Sequence, residues 1–210
     1  MLSSYYTVKS FNRHTLIVQK SRFIASVTRA ESENEAQTFI EQIKKEHHDA
    51  NHNCSAYLIG EHNEIQKAND DGEPSGTAGV PMLEVLKKRN LKDTVVVVTR
   101  YFGGIKLGAG GLIRAYGSAV TEGLSATGIV RCELMRVMKI EMDYTWLGKI
   151  ENELRTGAYT MKEIQYLGQA EIAVYVPEAE KAAFAEWITN LTSGQADVTE
   201  GDTAYLEKNV

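Results

Sequence analysis

Long apolar runs are missing from this 210-residue chain. The densest, Val95 to Val98, is strand-sized and far short of the roughly 20 residues that a membrane-spanning helix requires. A basic segment leading into an apolar core is also missing from Met1 to Ser10, so nothing there reads as a secretion signal. A cytoplasmic location with no membrane partner is expected. Cysteine is scarce: Cys54 and Cys132 lie far apart, each in a strand-like stretch, and in a reducing compartment two buried thiols are expected rather than a disulfide. Proline is rarer than in most chains, with three residues, and with 43% hydrophobic and 24% charged residues the composition excludes wholesale disorder. An excess of positive charge is absent too. The net charge is −5, residues 1–129 carrying 15 basic against 14 acidic side chains and residues 130–210 carrying 8 against 14. A nucleic-acid partner would therefore have to be held by a local patch, since the global field offers a phosphate backbone little attraction.

What is present points to two modest α+β domains, residues 1–129 and 130–210. The first thirty residues alternate as strands do, with Leu16 and Val18 and then Phe23, Ala25 and Val27, and suggest a β meander. Ser32 and Glu35 form a capping box ahead of Ala36, Phe39, Ile40 and Ile43, which predicts a helix to about Glu46. Cys54 to Gly60 and Glu64 to Asn69 read as a hairpin. A helix follows with Pro81 in its first turn, where a missing N–H is tolerated. The four valines of Asp93 to Tyr101 favour a central strand covered on both faces. Leu112, Ala115, Tyr116 and Ala119 then mark a helix ending near Gly128. From Arg131 the order is β-α-β-β-α-β, the ferredoxin-like arrangement. Its strands are Met135 to Met142, Glu163 to Leu167, Ala170 to Val176 and Ala196 to Leu206, and its two helices are stopped by Gly157 and Gly194.

Two segments could carry chemistry. Arg100 to Gly111 links the central strand to a helix with five glycines in the nine positions from Gly103. Such a turn lets N–H groups approach an anion at a helix N-terminus, with Arg100, Lys106 and Arg114 adding positive charge and Gly103, Gly104 and Gly108 supplying the open backbone. Close strand–helix packing is the competing reading. The segment has neither a P-loop nor a dinucleotide-binding pattern. The second segment is the acidic loop Asp70-Asp71-Gly72-Glu73-Pro74-Ser75-Gly76-Thr77. Its three acids could bind a divalent cation or do acid–base work. Alternatively, an aspartate makes a turn and Ser75 or Thr77 caps the next helix. His47, His48, His52 and Cys54 match no known zinc frame. No metal, no cofactor and no catalytic constellation is expected.

The run Asn69 to Gly79, followed by Val98-Thr99-Arg100-Tyr101-Phe102-Gly103-Gly104 and Lys106-Leu107-Gly108, resembles the signature of the IMPACT/YigZ family. The resemblance covers the first domain, and residues 130–210 resemble the second domain of the bacterial members. It implies a first domain shaped like the second domain of ribosomal protein S-five and a ferredoxin-like second domain shaped like the last domain of elongation factor G. It also implies, for eukaryotic relatives, regulation of a stress kinase through its ribosome-associated activator; an RWD domain of the kind those relatives carry is not expected here. The expectation is a non-catalytic RNA- or ribosome-associated protein linked to regulation of translation. The alternatives are an enzyme acting on a phosphorylated small molecule through the acidic loop, or a regulatory module with a protein partner.

Overall fold

The computed structural model describes residues 1–210 and divides into two compact units, residues 1–132 with 208–210, and residues 133–207. The division falls between Cys132 and Glu133, and the chain's last residues, 208–210, return to the first unit. There the Val210 N–H lies 3.4 Å from the Ile129 carbonyl oxygen. No helix is long and apolar enough to cross a membrane.

The first unit contains β1 (Ser4–Val8), β2 (Asn12–Val18), β3 (Ser21–Arg29), α1 (Glu33–Glu46), β4 (His52–Ile59), β5 (Ile65–Asn69), α2 (Gly79–Lys88), β6 (Thr94–Tyr101) and α3 (Gly108–Thr127). An antiparallel sheet of order β2-β3-β6-β4-β5 forms its middle layer. Successive strand residues point to opposite faces, so the valines of β6 serve two cores. Val96 and Val98 join Phe23, Cys54, Leu58 and the α2 and α3 side chains Met82, Leu86 and Tyr116 on one face. Val95 joins Tyr57, Ile59 and the α1 residue Ala36 on the other. The central, doubly covered strand expected from the sequence is therefore β6. α1 begins as its capping box predicts, with Ser32 Oγ accepting from the Glu35 N–H at 3.2 Å.

Three expectations for this unit need correction. β1 pairs with β7 (Ile129–Met142), whose first residues belong to this unit, so the β meander expected over the first thirty residues is reduced to a β2–β3 hairpin. α3 already begins at Gly108, which places Gly108, Gly110 and Gly111 in its first turn and not in a linker. Finally, neither Ser75 nor Thr77 caps α2; Asp70 does so from outside the adjacent turn. One of its oxygens accepts from the Ala78 and Gly79 N–H groups at 3.0 and 2.8 Å, and the other from Gly76 at 2.8 Å. Thr77 Oγ instead donates to the Pro74 carbonyl oxygen at 2.6 Å.

The second unit continues β7 through α4 (Tyr144–Thr156), β8 (Thr160–Tyr166), β9 (Ala170–Val176), α5 (Lys181–Thr192) and β10 (Ala196–Asn209). Strand order β10-β7-β9-β8 with helices after the first and third strands gives the ferredoxin-like topology. Its core sets Ile140, Ile172 and Val174 against Ile150, Leu154, Phe184 and Ile188 of the two helices. Gly157 and the left-handed Ser193–Gly194 pair, at φ 54° and 75°, stop those helices where the sequence placed their ends. Cys54 and Cys132 are buried thiols with no disulfide between them.

Candidate anion-binding cleft

The acidic loop and the glycine-rich turn converge. Between them, in the first unit, lies a cleft of about 460 Å³ whose walls include His52, Glu73, Arg100, Phe102, Lys106 and Leu107.

Its floor follows from the placement of Arg100. As a residue of the central strand it is only 6% exposed, and a charge so placed needs a counter-ion. Glu73, 8% exposed, supplies it: Arg100 Nη1 donates to Glu73 Oε1 at 2.6 Å, and the Tyr116 hydroxyl donates to the same oxygen at 2.8 Å. The guanidinium sits between the Phe23 and Phe102 rings, 5.4 and 5.5 Å from their centroids. Cys54 Sγ completes the cluster, 3.3 Å from the Tyr116 hydroxyl and 3.0 Å from the Asp70 carbonyl oxygen. Burial, with the nearby Glu73, Asp71 and Asp70 charges adding to it, pushes the Cys54 thiol up to about 12 despite its hydrogen bond to Tyr116, and it pushes the Tyr116 phenol far above its ordinary value.

Two acids of the loop are occupied by architecture. Burial opposes ionisation of Asp70, but its three N–H donors outweigh it and hold the carboxyl below the usual aspartate range. Asp71 behaves alike: burial is overcome by Lys44, 2.7 Å from Oδ1, and by the Asn53 N–H, 2.7 Å from Oδ2. Glu73 alone of the three faces the cleft, its Oε2 lying 3.8 Å from His52 Nε2. His52 Nδ1 is 2.8 Å from the Asp71 carbonyl oxygen. Since a carbonyl only accepts, Nδ1 donates in that contact, and Nε2 is the ring nitrogen turned toward Glu73. No group of three or more His, Cys, Asp and Glu side chains is arranged to hold a metal ion.

The opposite wall is the start of α3. Leu107 is right-handed at φ −84° and ψ −21°, and Gly108 follows at φ +69°. That alternation turns successive N–H groups toward a common point, a concavity suited to an anion, and the 20-residue helix behind it adds its positive end. No side chain caps this terminus. Lys106 is exposed beside it. Gly103 has a different task, since a Cβ there would lie 2.1 Å from the Lys20 carbonyl carbon.

The six residues singled out as an anion surface thus separate. Lys106 and Gly108 line the cleft, Arg100 is its buried floor, Gly103 is a packing contact and Gly104 is open at φ +84°. Arg114 is exposed but lines another groove with Val85, Ile113 and Glu122. The open trio of cations expected from the sequence is corrected accordingly, because one member is locked in an internal ion pair. Ser75 is exposed in the loop and Thr77 is buried. His52, Phe102 and Tyr116 were not recognised as members of the site. A tyrosine in a buried helical stripe needs a partner for its hydroxyl, and that was the available signal for Tyr116.

Residues 19–124 match the Impact N-terminal domain and residues 140–195 match a domain of unknown function, DUF1949. The chain belongs to the IMPACT family. It is 63% identical to the IMPACT family member YvyE of Bacillus subtilis over the whole chain and 97% of that protein. It is 34% identical to the IMPACT family member YigZ of Escherichia coli over 84% of the chain and 88% of that protein. A crystal structure described as that of a hypothetical protein superposes with a TM-score of 0.61 at 29% identity, covering 96% of this chain and 99% of the other. The motif segments that carried the resemblance to this family, Asn69 to Gly79 and Val98 to Gly108, are the two that build the cleft.

Proposed function

We propose that this IMPACT-family chain is a non-catalytic, cytoplasmic RNA- or ribosome-associated protein acting in the regulation of translation, and that it contacts the RNA backbone at the cleft before α3. The observation that carries the reading is the uncapped, positively polarised end of α3 opening beside the exposed Lys106. Free N–H groups at a helix start are a ready anion site. A chain of net charge −5 gains nothing from its overall field, so the contact is confined to this patch. The two aspartates of the acidic loop hold α2 and β4 in place, which speaks against the rival reading in which they act on a phosphorylated substrate. The link to translation comes from the family resemblance.

Co-sedimentation with ribosomes across about 50 to about 200 mM salt tests this, because removing a single cation that neutralises a phosphate lowers the salt slope by about one. Lys106→Glu is expected to weaken association and flatten the slope, and Arg114→Glu, outside the cleft, to do less. Ribosome association that is undetectable in the unaltered protein, or untouched by Lys106→Glu, would remove the reading.

A further inference from the structure

Resting on the backbone-binding reading above, we infer that the cleft seats one unstacked nucleotide of a single strand. The base lies against Phe102, the phosphate on the N–H groups from Leu107 to Ala109, and a hydroxyl or amino group on Glu73.

Glu73 extends the case beyond the helix terminus. It lines the cleft with a side chain more than nine-tenths buried; its Oε1 accepts from Arg100 and Tyr116, whereas its Oε2 has no donor nearer than His52 Nε2 at 3.8 Å. A largely buried carboxylate oxygen left without a donor is costly, and a ligand N–H or O–H reaching it through the cleft is the available remedy. A bare anion does not account for the remaining walls. Glu73 Oε2 would repel it and calls for a donor. Phe102 is 45% exposed, its own backbone N–H donates to Asn51 Oδ1 at 2.8 Å, and its ring, 5.5 Å from the Arg100 guanidinium, leaves aromatic surface open to solvent at the cleft wall. The ligand must therefore combine a negative group, a flat ring and hydrogen-bond donors. A ribonucleotide unit has all three. The cleft's volume of about 460 Å³ falls within the roughly 300–1,000 Å³ typical of sites for small organic groups. A base can enter only if it has left its stack, which selects single strands over duplex, and stacking on an aromatic ring is in itself tolerant of sequence.

The test is fluorescence anisotropy of the full chain with a labelled decauridylate, a duplex of equal length, and unlabelled uridine monophosphate as competitor. Phe102→Ala is expected to weaken single-strand binding by on the order of tenfold with the salt slope unchanged. Phe102→Tyr, which keeps the ring, should stay close to the unaltered protein, and the monophosphate should compete. Lys106→Ala should lower both affinity and slope. If Phe102→Ala binds the single strand normally while Lys106→Ala does not, the nucleotide seat is overturned and backbone contact survives. Equal affinity for duplex also overturns the seat. If neither substitution matters, both readings fall. Binding of the monophosphate in a Phe102-dependent way, with none of the decauridylate, keeps the seat, assigns it to free nucleotides and removes the RNA reading.

Discussion

Replacing Arg100 by Met deletes a guanidinium and leaves the Glu73 carboxylate, its side chain 3% exposed, facing Tyr116 as its one remaining close donor. Stranding one charge of a buried pair costs about 3–5 kcal/mol. Because Glu73 Oε2 faces the cleft and retains some access to solvent, the lower end applies, about 3 kcal/mol. For a unit of this size that lowers Tm by roughly 10 °C. The double variant Arg100→Met with Glu73→Leu should recover most of the loss, since two apolar side chains carry no desolvation cost and fill comparable volume. The protein supplies an internal control. Both of its tryptophans, Trp146 and Trp187, lie in the second unit, so tryptophan fluorescence follows that unit while calorimetry and far-UV circular dichroism follow both. The early transition should appear by calorimetry without a matching change in fluorescence. A loss below about 1 kcal/mol, the scale of a solvated surface pair, or a double variant no better than the single one, would show that water reaches the pair and would refute this account of the cleft floor.

Three further outcomes are expected. Asp70→Ala should cost about 1–2 kcal/mol by removing the cap of α2, measured by urea unfolding. Because the folded pKa values of Asp70 and Asp71 are depressed, the stability they contribute is present above the ordinary aspartate range and disappears as pH falls through the lower folded values. The acid limb of a stability profile should therefore flatten in Asp70→Asn. Cys54, with its thiol near 12, should resist alkylation at pH near 8 and react only at the rate of unfolding, followed by mass spectrometry; rapid labelling of the folded protein would contradict the buried cluster.

Much of the fold was legible because its signals are local. The capping box at Ser32, the valine run of β6, and the glycines near 157 and 194 each act within a few residues. The site was legible only in parts, because it depends on contacts distant in sequence. The central strand inferred from the valines already implied that Arg100 would be buried, but periodicity cannot say that its counter-ion stands 27 residues earlier in the acidic loop. Helix propensity disfavours Gly108, Gly110 and Gly111, yet they open α3, because the helix behind them is stabilised by packing of Leu112, Tyr116 and Ala119 against the sheet. Asp70 illustrates the same limit: a cap contributed from eight residues before Ala78 leaves no short motif.

Gly103 ties the wall of the cleft to the far hairpin. Its N–H is 3.1 Å from Ser21 Oγ and its α-carbon is pressed against the backbone of Lys20. A methyl group there would act as a wedge, prising the β2–β3 turn away and dragging the neighbouring Phe102 with it. The β2–β3 turn and the segment that bears Phe102 are thus interlocked sterically, and a side chain at position 103 could be accommodated only by moving one of them.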